Sequence, residues 1–202
     1  MADPQAPLVL ASASALRRKL LDNAGLDYIC DPAAIDEHEI KEGLLKERAT
    51  PMRVAETLAE LKAQRVAVRH PGCIVIGADQ VLDCEGILYD KPTDITRARA
   101  DLLALRGKVH ALVTGVVVVR DGDRLWHHID RSMLTMRQFG DGFLNRYLDQ
   151  TSESVCESVG AYKIEARGAQ LFEKIEGDYF SILGLPLLPL LDFLRNQGVV
   201  SS

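Results

Sequence analysis

Four consecutive valines, Val116–Val119, close a β-forming stretch that begins at Val109. Successive side chains of a strand point to opposite faces, so a strand with one wet face alternates apolar and polar residues. A run without alternation is expected to be covered on both faces. Cys73-Ile74-Val75-Ile76 is a second such run and reads as a fully buried strand. Strands of this kind require a sheet with helices layered against it.

The rest of the chain supplies both. Leu8–Ala11 and Leu26–Cys30 predict two further strands. Asp83-Cys84-Glu85-Gly86 reads as a hairpin turn into Ile87-Leu88-Tyr89, and Asp121-Gly122-Asp123 as one into a longer strand from Leu125 to Arg137. Gly160–Glu165 reads as a turn followed by a strand. Helices are predicted where apolar residues recur at helical spacing. The first carries Leu16, Leu20 and Leu21, with Ser12 or Ser14 as N-cap and Gly25 as its stop. The next covers 52–68, with Val54, Leu58 and Leu61 on one face, Thr50 as cap and Pro51 in its first turn. Others cover 95–105, capped by Thr93 or Asp94, and 141–149. The last opens at Gly184-Leu185-Pro186, buries Leu187, Leu190, Leu191 and Leu194, and ends at Gly198. This intermixing predicts an α/β fold with α+β character, a mixed central β-sheet with flanking helices. A single domain over 1–202 is expected, with residues 1–6 as a loose polar tail.

Charge and cysteine usage exclude several classes. A net charge of −5 argues against a nucleic-acid partner, which needs a basic face. It leaves room for a small anion held by local lysines and arginines. The four cysteines form no C-x-x-C pair, so no zinc framework is expected. Cys73 reads as a small buried hydrophobe. No basic segment precedes a long apolar one at the N-terminus, and no run approaches the length of a membrane span. A cytoplasmic protein with no membrane association is expected.

The candidate chemistry begins at Asp79. It follows Gly77-Ala78 at the end of the buried strand, where open α/β sheets place their ligands. The alternative is an aspartate that ends the strand in a turn. Arg17-Arg18-Lys19 lie in the first turns of a helix, whose free N–H groups attract anions. A solvated cationic face accounts for them equally well. Asp36, Glu37 and Glu39 fall in an acid-rich loop after Pro32, able to ligate a hard cation or to stay solvated. His38 among them reads as a surface residue. Lys62 falls near the Leu58 face of its helix, either snorkelling or reaching a cleft. His127 and His128 are adjacent in a strand and point to opposite faces, which argues against a shared metal.

Taken in order, these pieces resemble the Maf-like nucleoside triphosphate pyrophosphatases over essentially the whole chain. The matching residues are Leu10-Ala11-Ser12-Ala13-Ser14 with Arg17-Arg18, then Ile35-Asp36-Glu37, Leu61-Lys62-Ala63 and Ile76-Gly77-Ala78-Asp79. Lys91-Pro92, Thr114-Gly115, Gly160-Ala161-Tyr162, Ile175–Tyr179 and Gly184-Leu185-Pro186-Leu187 follow. Each tag is weak alone; their order and spacing together are specific.

The resemblance implies hydrolysis of a modified or non-canonical nucleoside triphosphate to the monophosphate and pyrophosphate, a house-cleaning reaction. It implies two lobes around a substrate cleft, a divalent cation such as Mg²⁺ or Mn²⁺, and a homodimer. By resemblance Asp79 is the general base, Ser12, Arg17, Lys62 and Lys91 bind phosphate, and Glu37 and Asp79 hold the metal. Leu16, Gln80 and Glu165 match the positions linked to base choice. Gln80 and Glu165 look like the branch that prefers 7-methylguanosine triphosphate. Leu16 replaces the aromatic residue of that branch, Ala15 the usual proline, and Ala166 the usual glycine. Two alternatives stand beside this reading: a regulator of septum formation, suggested by the family name, and a hydrolase of another nucleotide pyrophosphate bond.

Overall fold

Val116–Val119 are fully buried, as an unbroken apolar run requires. Ile74, Val75 and Ile76 are buried to the same degree. The structure is a computed structural model that describes residues 7–200. The tail expected over residues 1–6 lies outside the described residues.

The first half of the described chain contains β1 (Leu8–Leu10), α1 (Ala15–Asn23), β2 (Ile29–Cys30), α2 (Glu37–Lys46), α3 (Pro51–Ala67), β3 (Ile74–Cys84) and β4 (Ile87–Tyr89). The second contains α4 (Ile95–Leu105), β5 (Val109–Arg120), β6 (Asp123–Met136), α5 (Asp141–Thr151), β7 (Phe172–Glu176), α6 (Tyr179–Ile182) and α7 (Leu187–Asn196). Three 3-10 turns, Ser152–Glu157, Val159–Ala161 and Arg167–Leu171, lie between α5 and β7. The strands form a seven-stranded sheet in the order β2-β1-β3-β5-β6-β7, with β4 also pairing β3. β1 runs parallel to both β2 and β3, whereas β3–β4 and β6–β7 are antiparallel. The sheet is therefore mixed, as the sequence predicts.

The chain divides into two compact units. The first comprises Met1–Gln80, Thr114–Asp130 and Asp178–Ser202. Here Val9, Ala11, Val75, Val117 and Val119 pack with Ala59, Ala63 and Val66 of α3. Two glycines let α3 sit close to the strands. A Cβ on Gly77 would lie 2.0 Å from the Ala59 carbonyl oxygen, and one on Gly115 would lie 3.0 Å from that of Ala55. Ala55, Ala59 and Ala63 recur every four residues, so the small side chains form one stripe along the contact. Trp126 stacks on Phe193 of α7 and on His128. His127 lies on the other face of β6, within 3.8 Å of Glu56, so the two histidines are separated as expected.

The second unit comprises Val81–Val113 and Arg131–Gly177. His110 packs tilted against Tyr162 and Phe172. The Tyr147 hydroxyl donates to the Ala161 carbonyl. A cavity of about 230 Å³ lies among Tyr147, Val155, Lys163 and Arg167. Among the described residues, no helix is long and apolar enough to cross a membrane.

Four expectations need correction. The acidic stretch is a loop only up to Asp36; Glu37, His38 and Glu39 form the first turn of α2, because the Asp36 side chain accepts from the Glu39 N–H. Leu61 is 38% exposed; the buried side of α3 runs instead through Val54, Ala55, Leu58, Ala59, Lys62 and Ala63. No strand follows Gly160, where the chain makes 3-10 turns. The strand expected from Leu26 contains only Ile29 and Cys30. Of the paired cap candidates, Ser14 caps α1 and Asp94 caps α4.

Candidate active site

Asp79 lies inside β3 rather than at its end as expected, because the strand continues through the buried Val81 and Leu82 to Cys84; it is only 6% exposed. The absence of a side chain at Gly77 brings α3 against this strand, and Lys62 lies on the buried face of that helix one turn after Leu58. The Lys62 ammonium therefore reaches Asp79: Nζ donates to Oδ1 at 2.6 Å. The same Nζ lies 2.8 Å from Glu37 Oε1, on the first turn of α2. Lys62 and Asp79 have side chains 9% exposed, whereas that of Glu37 is 52% exposed. One cation thus bridges a buried carboxylate and a half-solvated one.

Arg17 braces the same corner from the first turns of α1, and its residue is 8% exposed. Its Nε donates to the Gly184 carbonyl at 2.7 Å. Its Nη1 donates to Ser12 Oγ at 3.1 Å and to the Ala78 carbonyl at 2.9 Å. Burial pushes the guanidinium pKa below its ordinary value, while the charges of Asp79 and Glu37 pull it back up. Arginine stays protonated in proteins, so this is a fixed positive charge. It ties together segments far apart in sequence: the Ser12 turn, the residue before Asp79, and the Gly184 loop.

Gln80 follows Asp79 and faces the other side of the strand. Its Nε2 donates to Thr114 Oγ1 at 2.8 Å and to the Ser181 and Ile182 carbonyls, each at 3.1 Å. Thr114 Oγ1 itself donates to the Ser181 carbonyl. Asp178 caps α6, accepting from both the backbone and the hydroxyl of Ser181. The sequence assigns Thr114, Ser181 and Gly184 no role in the site, although Thr114-Gly115 and Gly184–Leu187 are among the tags of the family resemblance. The physical signals are a hydroxyl inside an apolar strand at Thr114 and the glycine-proline turn at Gly184.

The structure thus gathers Ser12, Arg17, Glu37, Lys62, Asp79 and Gln80 within the first unit. Leu16 lies half-buried on α1 in the same unit. Lys91 is exposed between β4 and α4, and Glu165 is exposed in the turn before Arg167–Leu171; both belong to the second unit. Among the described residues, no group of three or more His, Cys, Asp or Glu side chains is arranged to hold a metal ion. The Asp79 and Glu37 oxygens nevertheless converge on one point, the Lys62 nitrogen. Two hard oxygen donors at one point suit Mg²⁺, which often takes only one or two carboxylates and completes its shell with waters and phosphate oxygens.

Comparison with known proteins follows the same lines. The Maf-like protein family profile matches residues 7–197. A nucleoside triphosphate pyrophosphatase of Paramagnetospirillum magneticum is 56% identical over 190 residues, 94% of this chain and 98% of that protein. One of Granulibacter bethesdensis is 54% identical over 96% of this chain and 98% of that protein. A 7-methyl-GTP pyrophosphatase of Rhizobium etli is 48% identical, again over 96% of this chain and 98% of that protein.

Proposed function

The chain belongs to the Maf-like protein family, and we propose that it hydrolyses a nucleoside triphosphate to the monophosphate and pyrophosphate. The observation that carries this reading is the Asp79–Lys62–Glu37 bridge at the middle of the buried strand β3. It puts a carboxylate able to take a proton beside a cation able to meet phosphate. The names of the relatives support the same reaction class.

In this reaction water attacks the α-phosphorus and the bond to the β-phosphate oxygen breaks. Asp79 accepts the proton of the attacking water. The leaving pyrophosphate gains negative charge, and Lys62 and Arg17 stabilise it electrostatically. Ser12 presents its hydroxyl beside Arg17. Asp79 and Glu37 would hold a divalent cation such as Mg²⁺ or Mn²⁺. Such an ion, when bound, neutralises phosphate oxygens and makes the bound water more acidic.

The substrate belongs among modified nucleoside triphosphates, with 7-methylguanosine triphosphate the first to examine. A relative of that name is 48% identical over nearly the whole chain. Glu165 offers a carboxylate to the N–H donors of a guanine edge or to a cationic methylated base. Gln80 is tied by its amide nitrogen to Thr114, Ser181 and Ile182. It acts on specificity mainly by fixing α6, and any direct contact with a base falls to its oxygen.

The test is a panel of canonical and modified nucleoside triphosphates assayed for pyrophosphate release with Mg²⁺. Asp79→Asn is expected to lower the rate by about 10²–10⁴-fold while leaving the circular-dichroism spectrum unchanged. Full activity in that variant would remove Asp79 as base. A flat profile across the panel would remove the 7-methylguanosine preference.

A further inference from the structure

Both carboxylates of the proposed site share one ammonium. Lys62 Nζ lies 2.6 Å from Asp79 Oδ1 and 2.8 Å from Glu37 Oε1. Those are the oxygens that would hold a divalent cation. Arg17, the other buried cation of this corner, is committed through Nε and Nη1 to Gly184, Ser12 and Ala78. Its planar guanidinium cannot leave one of these partners without disturbing the others. Lys62 differs in kind. Its charge is compact, sits at the end of a flexible four-carbon stem, and among the described residues is held by the Asp79 and Glu37 side chains. Its Cα is anchored meanwhile by the contact of Ala59 and Ala63 with Gly77.

We propose that Lys62 is the resident counter-cation of the Asp79–Glu37 pair, and that it yields this position to a divalent cation when a polyphosphate offers its ammonium a new partner. The proposal rests on the pyrophosphatase reading. A buried carboxylate such as Asp79 left without a cation carries a large penalty; the exchange keeps it compensated before and after nucleotide binding. It also frees Asp79 from a short hydrogen bond at the stage when that carboxylate must accept a proton. Two consequences follow for the nucleotide-free protein. Divalent cations bind it weakly, because Lys62 already occupies their oxygens. Cation and nucleotide enter together, since each removes the obstacle to the other.

The test needs no turnover. Mn²⁺ binding is measured without nucleotide, from the loss of the free-ion signal in electron paramagnetic resonance. The unaltered protein, Lys62→Gln and Arg18→Gln are compared. Arg18 contacts the Ala13 carbonyl and neither carboxylate, so its variant controls for a change of net charge. Lys62→Gln is expected to tighten Mn²⁺ binding by at least about tenfold, and Arg18→Gln to change it by less than about twofold. Equal affinities in Lys62→Gln and the unaltered protein, or equal tightening in both variants, would overturn the proposal. A second measurement covers the case in which Lys62→Gln does not fold. In the unaltered protein, the ¹⁵N signal of the Lys62 ammonium should shift in step with Mg²⁺ binding; binding that leaves it unmoved would also overturn the proposal. The pyrophosphate assay is separate. If no nucleotide is hydrolysed, the function reading fails whatever Mn²⁺ does; if hydrolysis occurs with unaltered Mn²⁺ affinities, only the role of Lys62 fails.

Discussion

His110 is 1% exposed, its Nε2 lies 2.8 Å from the Tyr162 hydroxyl, and its Nδ1 has no hydrogen-bond partner among the described residues. Burial pushes its pKa down to about 4, from an ordinary value of 6.5. The unfolded chain therefore takes up a proton at a higher pH than the folded one. Stability from this residue is complete above about pH 6.5 and is lost as pH falls towards about 4, by about 3 kcal/mol in all. Urea unfolding at pH 7 and at pH 4.5 checks this. His110→Gln, which does not titrate, should show a shallower loss over that window; an identical loss would mean that other groups carry it. Arg17 is a second buried residue whose neighbours define its part. It spends its donors on two carbonyls and a hydroxyl, so any contact with phosphate comes in addition to a structural duty.

At the level of elements, the packing of α3 on β3 sets the site. Gly77→Ala would put a methyl group 2.0 Å from the Ala59 carbonyl oxygen and 2.8 Å from Ala63 Cβ. Backbone must move, and overpacking of this kind costs about 1–3 kcal/mol. Because α3 carries Lys62, the same substitution should also lower activity. Chemical denaturation together with pyrophosphate release checks both effects; normal stability and rate would show that the close approach is dispensable. The sequence made α3 visible through Val54 and Leu58, but not its true packing face. Alanine carries little weight in a hydrophobic pattern, so the pattern does not reveal the stripe Ala55, Ala59, Ala63, and helical spacing alone places Leu61 inward. α2 is hard to read for a related reason: its apolar stripe is only Ile40 and Leu44, both half-buried, and none of its residues is fully buried. The legible signal was local, an aspartate followed three residues later by a glutamate, the usual opening of a helix. β7 is likewise mostly exposed along its length and gave no alternation to read. The site residues were legible mainly as tags of a family; their convergence was not, because it depends on contacts between positions as distant as Arg17 and Gly184.

At the scale of the molecule, the two units divide the labour of the sequence differently. The first gathers Ser12, Arg17, Glu37, Lys62 and Asp79 at one corner, while Lys91 and Glu165 belong to the second. Strands β3, β5 and β6 each begin in one unit and end in the other, so neither unit is a simple run of sequence. A net charge of −5 makes this local gathering of cations necessary for a substrate that is itself anionic. The central claim is that water attacks the α-phosphorus with Asp79 as base. Hydrolysis in ¹⁸O-labelled water tests it most directly. The label is expected in the nucleoside monophosphate, with unlabelled pyrophosphate, and Asp79→Asn should slow its incorporation by at least about 10²-fold. Label in the pyrophosphate, or unchanged incorporation in Asp79→Asn, would contradict the claim.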